Sequence, residues 1–162
     1  MAETILVDKN ISLDDQYLLL VKQVKNLLNK SDNILSNLSN LTAALKQTFD
    51  KISWVGFYLF DGQKLYLGPF QGKVACTELK LGKGVCGTAA FENKTMIVPD
   101  VNKFPGHIAC DADSKSEIVV PIMRNGKLYG VLDLDSTEYG SFNEIDKKYL
   151  EEIINYLKKE IL

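Results

Sequence analysis

The sequence predicts an α+β domain in which helices cover an antiparallel sheet of about six strands. Helical and strand periodicities occupy different parts of the chain: two helical patterns come first, strand patterns follow, and one helical pattern ends the chain. Asp-Gly and Asn-Gly turns join neighbouring strands, and such hairpins favour antiparallel pairing over parallel crossovers. We therefore expect N-terminal helices and a C-terminal helix packed on the sheet, with one short helix inserted between strands.

Two amphipathic helices are predicted at the N-terminus. Apolar side chains recur at helical spacing over residues 12–28, and Ser12 is the candidate N-cap. The same spacing covers residues 31–49, although asparagines in its middle lower the helix propensity, so this helix needs packing partners. We expect residues 1–30 to form an N-terminal helix packed on the domain and residues 31–162 to form its main part, giving one domain overall.

The middle of the chain predicts strands. Residues 52–60 are rich in β-branched and aromatic side chains, the dipeptide Asp61-Gly62 follows as a hairpin turn, and residues 64–70 return. A third strand is expected to include residues 74–79, which would place Cys76 on it. The remaining strands are expected at residues 95–98, 116–123 and 127–135, the last two joined by the turn Asn125-Gly126.

A glycine-rich segment, residues 81–92, predicts a tight turn of the backbone that leads into a short helix. Residues 100–115 show no periodicity and are expected to form a long loop, the kind of segment that often carries function. Ser141 and Glu144 have the spacing of a capping box and are expected to open the last helix.

Composition and charge argue against several classes of function. The formal net charge is -2 and no long basic run is present, so nucleic-acid binding is not expected. Apolar stretches such as residues 118–123 are too short to cross a bilayer, so no membrane association is expected. Glu3 and Asp8 stand where a secretory signal would carry a basic and then an apolar region, and we expect a cytoplasmic protein.

The chain contains three cysteines, Cys76, Cys86 and Cys110. In a reducing compartment they begin as thiols, and three buried inert thiols are one interpretation. Cys86 lies at the start of the predicted short helix, whose N-terminus would favour the thiolate, and Cys110 lies in the long loop. Two reactive thiols suffice for a redox cycle in which a sulfenic acid condenses with a second thiol and an external dithiol restores both.

Three acidic residues form a second candidate group. Asp133 and Asp135 share one face of a predicted strand because strand side chains alternate. Glu117 begins the partner strand, and counting outward from the hairpin turn places it close to Asp133 or Asp135. The alternative interpretation is that this face of the sheet is simply exposed to solvent.

A Cys3His zinc site, formed by the three cysteines and His107, is a further interpretation. Cys76 and Cys86 are ten positions apart, and no C-x2-C knuckle exists. His107 is the only histidine, and a single loop histidine is expected to be solvated. We therefore predict no metal.

Four segments together resemble a known family: WVGFYLFDG, GKGVCGTAA, HIACDADSKSEIVVPI and NGKLYGVLDLDS. They are similar to the free methionine-(R)-sulfoxide reductases, enzymes built on a GAF-type domain, over roughly residues 30 to 160. The cysteine intervals of ten (76 to 86) and twenty-four (86 to 110) match the arrangement of that family. GAF character alone would also suit a non-catalytic sensor domain that binds a small ligand, which is the alternative.

The resemblance implies that residues 31–162 form a GAF-like catalytic domain that reduces free L-methionine (R)-sulfoxide. Cys110 would be the nucleophile, Cys76 or Cys86 would resolve its sulfenic acid, and Glu117 would be the general acid. No cofactor would be bound, and a thioredoxin-like external dithiol would be the reductant. A homodimer is also expected, since helical faces of such domains often pair. The substrate-binding residues would be Trp54, Tyr58, Cys86, Glu117, Asp133 and Asp135.

The acidic residues fit that substrate because a free amino acid carries an α-ammonium group. Asp133 and Asp135 could pair with it, whereas a peptide-bound methionine sulfoxide would leave them unpaired at a cost of several kcal/mol. Burial and neighbouring carboxylates would raise the pKa of Glu117 and let it protonate the sulfoxide oxygen. The same carboxylates would oppose formation of the Cys110 thiolate unless the substrate ammonium relieves their repulsion.

Overall fold

The computed structural model describes residues 4–162, so the first three residues of the predicted N-terminal segment lie outside this description. Within residues 4–162, four α-helices and six strands follow one another in the predicted order. Helices α1 and α2 come first, strands β1 to β3 follow, α3 is inserted before β4, and the β5–β6 hairpin leads into α4. Their bounds are α1 Leu13–Leu27, α2 Ile34–Thr48, β1 Trp54–Phe60, β2 Leu65–Gln71, β3 Glu78–Leu79, α3 Gly84–Glu92, β4 Met96–Val98, β5 Ser116–Arg124, β6 Lys127–Ser136 and α4 Glu144–Tyr156.

The strands form one six-stranded sheet in the order β3-β2-β1-β6-β5-β4, and every neighbouring pair is antiparallel. This confirms the predicted α+β class and its antiparallel sheet. The turn between β5 and β6 sets the first pairs of the ladder: Asn125 and Gly126 have φ values of 50° and 73°, as a two-residue turn of this kind requires. A register shift between Ile122 and Met123 sets the pairing of the rest of the two strands.

Strand alternation divides the core between the two faces of the sheet. On β1, Val55, Phe57 and Leu59 pack with the apolar faces of α1, α2 and α4. Trp54 and Tyr58, on the opposite face of the same strand, pack with α3 and the loops around it. The large helical layer therefore stabilises one face, and the other face is left for a smaller cluster and a pocket.

The N-terminal helix is part of the helical layer. Ser12 caps α1 by accepting a hydrogen bond from the Asp15 backbone N–H, as predicted. Helix α1 contacts both α2 and α4. Within residues 4–162, no helix has both the length and the apolar character that a membrane span requires.

The third strand is shorter than predicted. It covers only Glu78–Leu79, so the expectation of a strand over residues 74–79 is wrong and Cys76 lies in a loop. Two carbonyls of this loop accept hydrogen bonds from β1 side chains: Trp54 Nε1 donates to Lys73 O at 3.0 Å, and Tyr58 Oη donates to Cys76 O at 2.9 Å. These two side-chain hydrogen bonds hold the loop, which has no backbone pairing of a strand at Cys76.

The last helix is capped by different residues from those expected. Asn143 accepts hydrogen bonds from the backbone N–H groups of Ile145 and Asp146, and Asp146 Oδ2 accepts from the Asn143 N–H at 2.8 Å. The predicted box of Ser141 and Glu144 is therefore wrong by two residues. Asp146 is fully buried and also accepts from Tyr17 Oη and Lys51 Nζ, which fixes the start of α4 at this position.

Candidate active site

A pocket opens on the sheet face opposite the large helical layer. Its floor is formed by β1, β5, β6 and the first turn of α3. Its rim is formed by the Cys76 loop (residues 72–77) and the Cys110 loop (residues 104–115). Cys110 lines this pocket. So do all the predicted substrate-binding residues: Trp54, Tyr58, Cys86, Glu117, Asp133 and Asp135.

The strand register brings the three acidic residues together. Glu117 on β5 is directly opposite Asp135 on β6, and Asp133 lies two residues along on the same face. This confirms the predicted neighbourhood of the three acidic residues. The register shift between Ile122 and Met123 is needed for it, because uninterrupted counting from the turn would place Glu117 opposite Leu134. Gly56 lies opposite Asp133 on β1, and a Cβ at Gly56 would come within 2.4 Å of the Trp54 ring. Glycine at this position is therefore required for the Trp54 ring to lie over the pocket floor.

The acidic face of the sheet is buried, so the interpretation of a simply exposed face is wrong. Glu117 is 6% exposed and Asp133 is 5% exposed. The Asp133 Oδ1 atom is buried and has no hydrogen-bond partner among the described residues. Such an atom carries a desolvation cost that a bound donor would remove.

Burial and mutual repulsion keep these carboxyl groups protonated to an unusually high pH. Burial is the larger cause of the raised pKa of Glu117, and the charges of Asp133 and Asp135 add to it. Burial and the charge of Asp135 likewise raise the pKa of Asp133. The pKa of Asp135 rises to about 6 through burial, partly offset by a hydrogen bond of 2.8 Å donated by Ser114 Oγ.

Cys86 lies at the floor of the pocket on the first turn of α3 and is 5% exposed. Its Sγ lies 3.8 Å from Glu117 Oε1 and donates a weak hydrogen bond to it. Burial, followed by the charges of Asp133 and Glu117, raises the pKa of the thiol well above its ordinary value. The prediction that the helix N-terminus activates Cys86 is therefore wrong, because desolvation and the carboxylates outweigh the helix dipole.

The other two cysteines form a disulfide at the rim of the pocket. Cys76 and Cys110 are bonded to each other with their Cα atoms 5.5 Å apart, and Cys86 is the free thiol. The bond joins the Cys76 loop to the Cys110 loop. In this form Cys76 and Cys110 have no thiolate for a metal, so the Cys3His ligand set is not assembled. His107 is half-buried in the pocket wall, and burial lowers its pKa, so it is less solvated than expected.

An ion pair that sequence reasoning missed also joins the two loops. Lys73 Nζ lies 2.6 Å from Asp113 Oδ2 and 3.6 Å from Asp111 Oδ1. The hydrogen bonds from Trp54 and Tyr58 anchor the Cys76 loop to β1 from below. Asp111 and Asp113, which follow Cys110, suggest a basic partner, but nothing in the sequence around Lys73 places this lysine beside them.

This geometry can support two kinds of chemistry. The buried carboxyl groups form a site that favours a cation, since a positive charge would compensate them in a water-poor environment. The neighbouring disulfide can be opened and closed by thiol exchange. A small cationic molecule in the pocket would lie beside Cys110, which lines the same cavity.

The raised pKa of Asp135 has a consequence for stability. Between about pH 4 and pH 6 the folded state holds a proton that the unfolded state has lost, so stability falls as pH rises through this range. Asp135→Asn removes this loss and can still accept the Ser114 hydrogen bond. We expect it to raise the unfolding free energy of the disulfide form by about 3 kcal/mol at about pH 7 and by little at about pH 3.5, measured by chemical denaturation.

Asp113→Asn is the matched control for that variant. Asp113 is exposed, and its hydrogen bond to Lys73 lowers its pKa, so its removal should leave stability at pH 7 unchanged or slightly reduced. An Asp135→Asn protein that is no more stable than the original at pH 7 would contradict the assignment of a destabilising buried carboxyl group.

Comparison with known proteins identifies the fold and the family. The model of the GAF domain family matches residues 36–158. GAF domain-containing protein A of Dictyostelium discoideum is 52% identical over 97% of this chain and 99% of its own length. The free methionine-R-sulfoxide reductase of Saccharomyces cerevisiae is 51% identical over 78% of this chain and 75% of its own length.

A solved structure of a relative has the same backbone fold as this chain. The free methionine-R-sulfoxide reductase from Neisseria meningitidis, determined in complex with its substrate, superposes with a TM-score of 0.90 at 40% identity. The superposition covers 96% of this chain and 95% of that one. With these relatives, this cysteine arrangement and this fold, the chain belongs to the GAF-domain family of free methionine-R-sulfoxide reductases.

Proposed function

We propose that this chain reduces free L-methionine (R)-sulfoxide to methionine with its own cysteines. The observation that carries the proposal is the Cys76–Cys110 disulfide at the rim of a pocket whose floor holds buried carboxyl groups. The names of the relatives from yeast and Neisseria meningitidis support the same activity. A non-catalytic GAF sensor would use the pocket but would have no need for a redox pair beside it.

The α-ammonium group of the substrate binds to Asp133 and Asp135 in this proposal. Asp133 supplies a buried oxygen without a partner, and Asp135 lies on the same face of β6. The ammonium favours the ionised form of both carboxyl groups, which burial otherwise disfavours. A peptide-bound methionine sulfoxide carries an amide instead of the ammonium and would leave the carboxylates uncompensated, so the site selects the free amino acid.

Trp54 and Tyr58 enclose the side chain of the substrate. Both rings lie in the apolar cluster on the pocket side of the sheet and are almost fully buried. Their polar atoms are already bonded to the Cys76 loop, so they present only ring carbon atoms to the pocket. Such a surface suits the S-methyl and methylene groups of methionine sulfoxide.

Reduction begins when the Cys110 sulfur attacks the sulfoxide sulfur. Glu117 is the general acid: burial and the neighbouring carboxylates raise its pKa and so favour its protonated form, and it gives that proton to the sulfoxide oxygen. The oxygen passes to Cys110, so methionine leaves and Cys110 becomes a sulfenic acid. The bound ammonium also compensates the carboxylates, which removes part of their opposition to a Cys110 thiolate.

Cys76 resolves the sulfenic acid in this proposal. Its thiol condenses with the oxidised Cys110 to give a disulfide and one water molecule. The proximity of the two half-cystines supports Cys76 over Cys86, because Cys86 is bonded to Glu117 at the pocket floor and its thiol is strongly disfavoured from ionising. An external dithiol then exchanges with the disulfide and leaves both cysteines reduced.

Four further properties belong to the same proposal. The reductant is a thioredoxin-like dithiol, and the scheme uses no bound cofactor. The protein acts in the cytoplasm, where thiols are kept reduced. Residues 1–30 form the N-terminal helix of one domain whose catalytic part is residues 31–162. The protein is a homodimer, for which exposed Leu18 on α1 and Leu35 on α2 provide apolar surface on the helical layer.

The direct test is turnover of the two sulfur epimers of free methionine sulfoxide with a dithiol reductant. We expect methionine to form from the R epimer alone. Cys110→Ser should abolish turnover because it removes the attacking sulfur. Reduction of the S epimer at a similar rate, or an active Cys110→Ser protein, would contradict the proposal.

A second test concerns the hydrogen bond from Tyr58 to the Cys76 carbonyl. Tyr58→Phe keeps the ring but loses this bond, which is worth about 1 kcal/mol and corresponds to about fivefold in rate. We expect the Cys110 sulfenic acid, trapped with dimedone after one turnover, to persist about fivefold longer, while the first release of methionine changes less than about twofold.

Tyr66→Phe is the matched control, because Tyr66 is exposed on β2 and does not line the pocket. It should leave both rates unchanged. A Tyr58→Phe protein that forms its disulfide as fast as the original would show that the Cys76 loop is held by other contacts.

A further inference from the structure

One thiol sulfur and two carboxylate oxygens converge at the floor of the pocket. Cys86 Sγ, one oxygen of Glu117 and one oxygen of Asp133 all lie within 4.8 Å of one another. The three side chains come from α3, β5 and β6, and each is at least nine-tenths buried, with exposures of 5%, 6% and 5%. In addition, Asp133 Oδ1 is buried without a hydrogen-bond partner among the described residues, so the cluster contains an unsatisfied acceptor.

The distances suit a metal ion of the zinc class. Typical zinc–sulfur and zinc–oxygen bonds at a tetrahedral angle separate the two donor atoms by about 3.6 Å. Cys86 Sγ and Glu117 Oε1 are already 3.8 Å apart. Only small side-chain movements are therefore needed to bring the three donors onto one ion.

The donor set also selects the type of ion. A thiolate with two carboxylates suits Zn²⁺ or Co²⁺, whereas Mg²⁺ and Ca²⁺ prefer oxygen ligands alone. Three ionised ligands carry three negative charges, which a divalent cation compensates in part. Because the pocket is open on one side, a fourth position remains for water.

We propose that Cys86, Glu117 and Asp133 form a binding site for a zinc-class divalent cation, which excludes the substrate and so inhibits the protein. This site differs from the Cys3His set considered from the sequence, since it uses one cysteine and neither half of the disulfide. It is therefore available in the oxidised form as well as in the reduced form. The binding claim stands on the geometry alone, and the inhibition claim rests on the proposed function.

The experiment uses the full chain in its disulfide form, where Cys86 is the free thiol. Co²⁺ alone is added at about pH 8, where the ligands lose their protons more readily, and the absorption spectrum is followed. We expect a thiolate-to-cobalt charge-transfer band in the near ultraviolet together with the visible bands of tetrahedral cobalt. Zn²⁺ should remove both by displacement.

Variants assign the signal to the three residues. Cys86→Ser should lose the charge-transfer band, and Asp133→Asn and Glu117→Gln should each weaken Co²⁺ binding about tenfold or more. Asp113→Asn changes an exposed carboxylate that is paired with Lys73 outside the cluster, and it should leave Co²⁺ binding unchanged. Absence of the band in the original protein, or its persistence in Cys86→Ser, overturns the site.

Free methionine separates this inference from the proposed function. Because its ammonium would use Asp133, we expect methionine to displace Co²⁺ from the disulfide form. If methionine binds by calorimetry but no Co²⁺ band forms, the metal site is wrong and the proposed function stands. If the band forms and methionine neither binds nor displaces the metal, the inhibition claim and the proposed substrate are wrong together.

Discussion

The burial of three carboxyl groups on one face of the central strands is the constraint on which the rest of the site depends. Glu117, Asp133 and Asp135 are brought together by the register of β5 and β6. Their burial is unfavourable in the empty pocket, as the raised pKa values show. The apolar cluster on the opposite face of the same strands supplies the compensating stability, because the residues between the acidic side chains pack against the helices. A site that costs stability when empty gains selectivity for a ligand that compensates it.

The redox pair is placed by a second set of contacts that do not involve the sheet ladder. The Cys76 loop is held by hydrogen bonds from Trp54 and Tyr58, and its Lys73 pairs with acidic residues of the Cys110 loop. The two aromatic side chains that hold this loop also line the pocket and, in the proposed function, enclose the substrate. That proposal would link substrate binding to the geometry of the disulfide without a further structural element. Cys86 contributes to the floor of the pocket, where its neutral thiol lies against Glu117.

Side-chain periodicity and turn motifs in the sequence predicted the parts of the fold that depend on local sequence. Strand alternation and the Asn125-Gly126 turn were enough to predict that Glu117 lies close to Asp133 or Asp135. Counting from the turn alone would place Glu117 opposite Leu134, and the register shift between Ile122 and Met123 moves its partner to Asp135. Burial of the acidic face could not be predicted in the same way, because it depends on α3 and two loops closing over it.

The resemblance identified the family but left two partners open for Cys110. The pairing with Cys76 follows from loop contacts made across forty residues of chain, such as that between Lys73 and Asp113, and these have no periodicity in the sequence. The start of α4 was misplaced because Ser141 and Asn143 are both good caps, and only the buried contacts of Asp146 distinguish them.

The central claim is that protonated, buried carboxyl groups become ionised when they pair with the ammonium group of the ligand. Calorimetry of free methionine binding to the disulfide form, repeated in buffers of different ionisation enthalpy at about pH 7, measures the protons exchanged. The account predicts release of about one proton for each methionine bound, and a smaller release from Asp133→Asn. Binding of methionine with no release of protons, or with proton uptake, would contradict it.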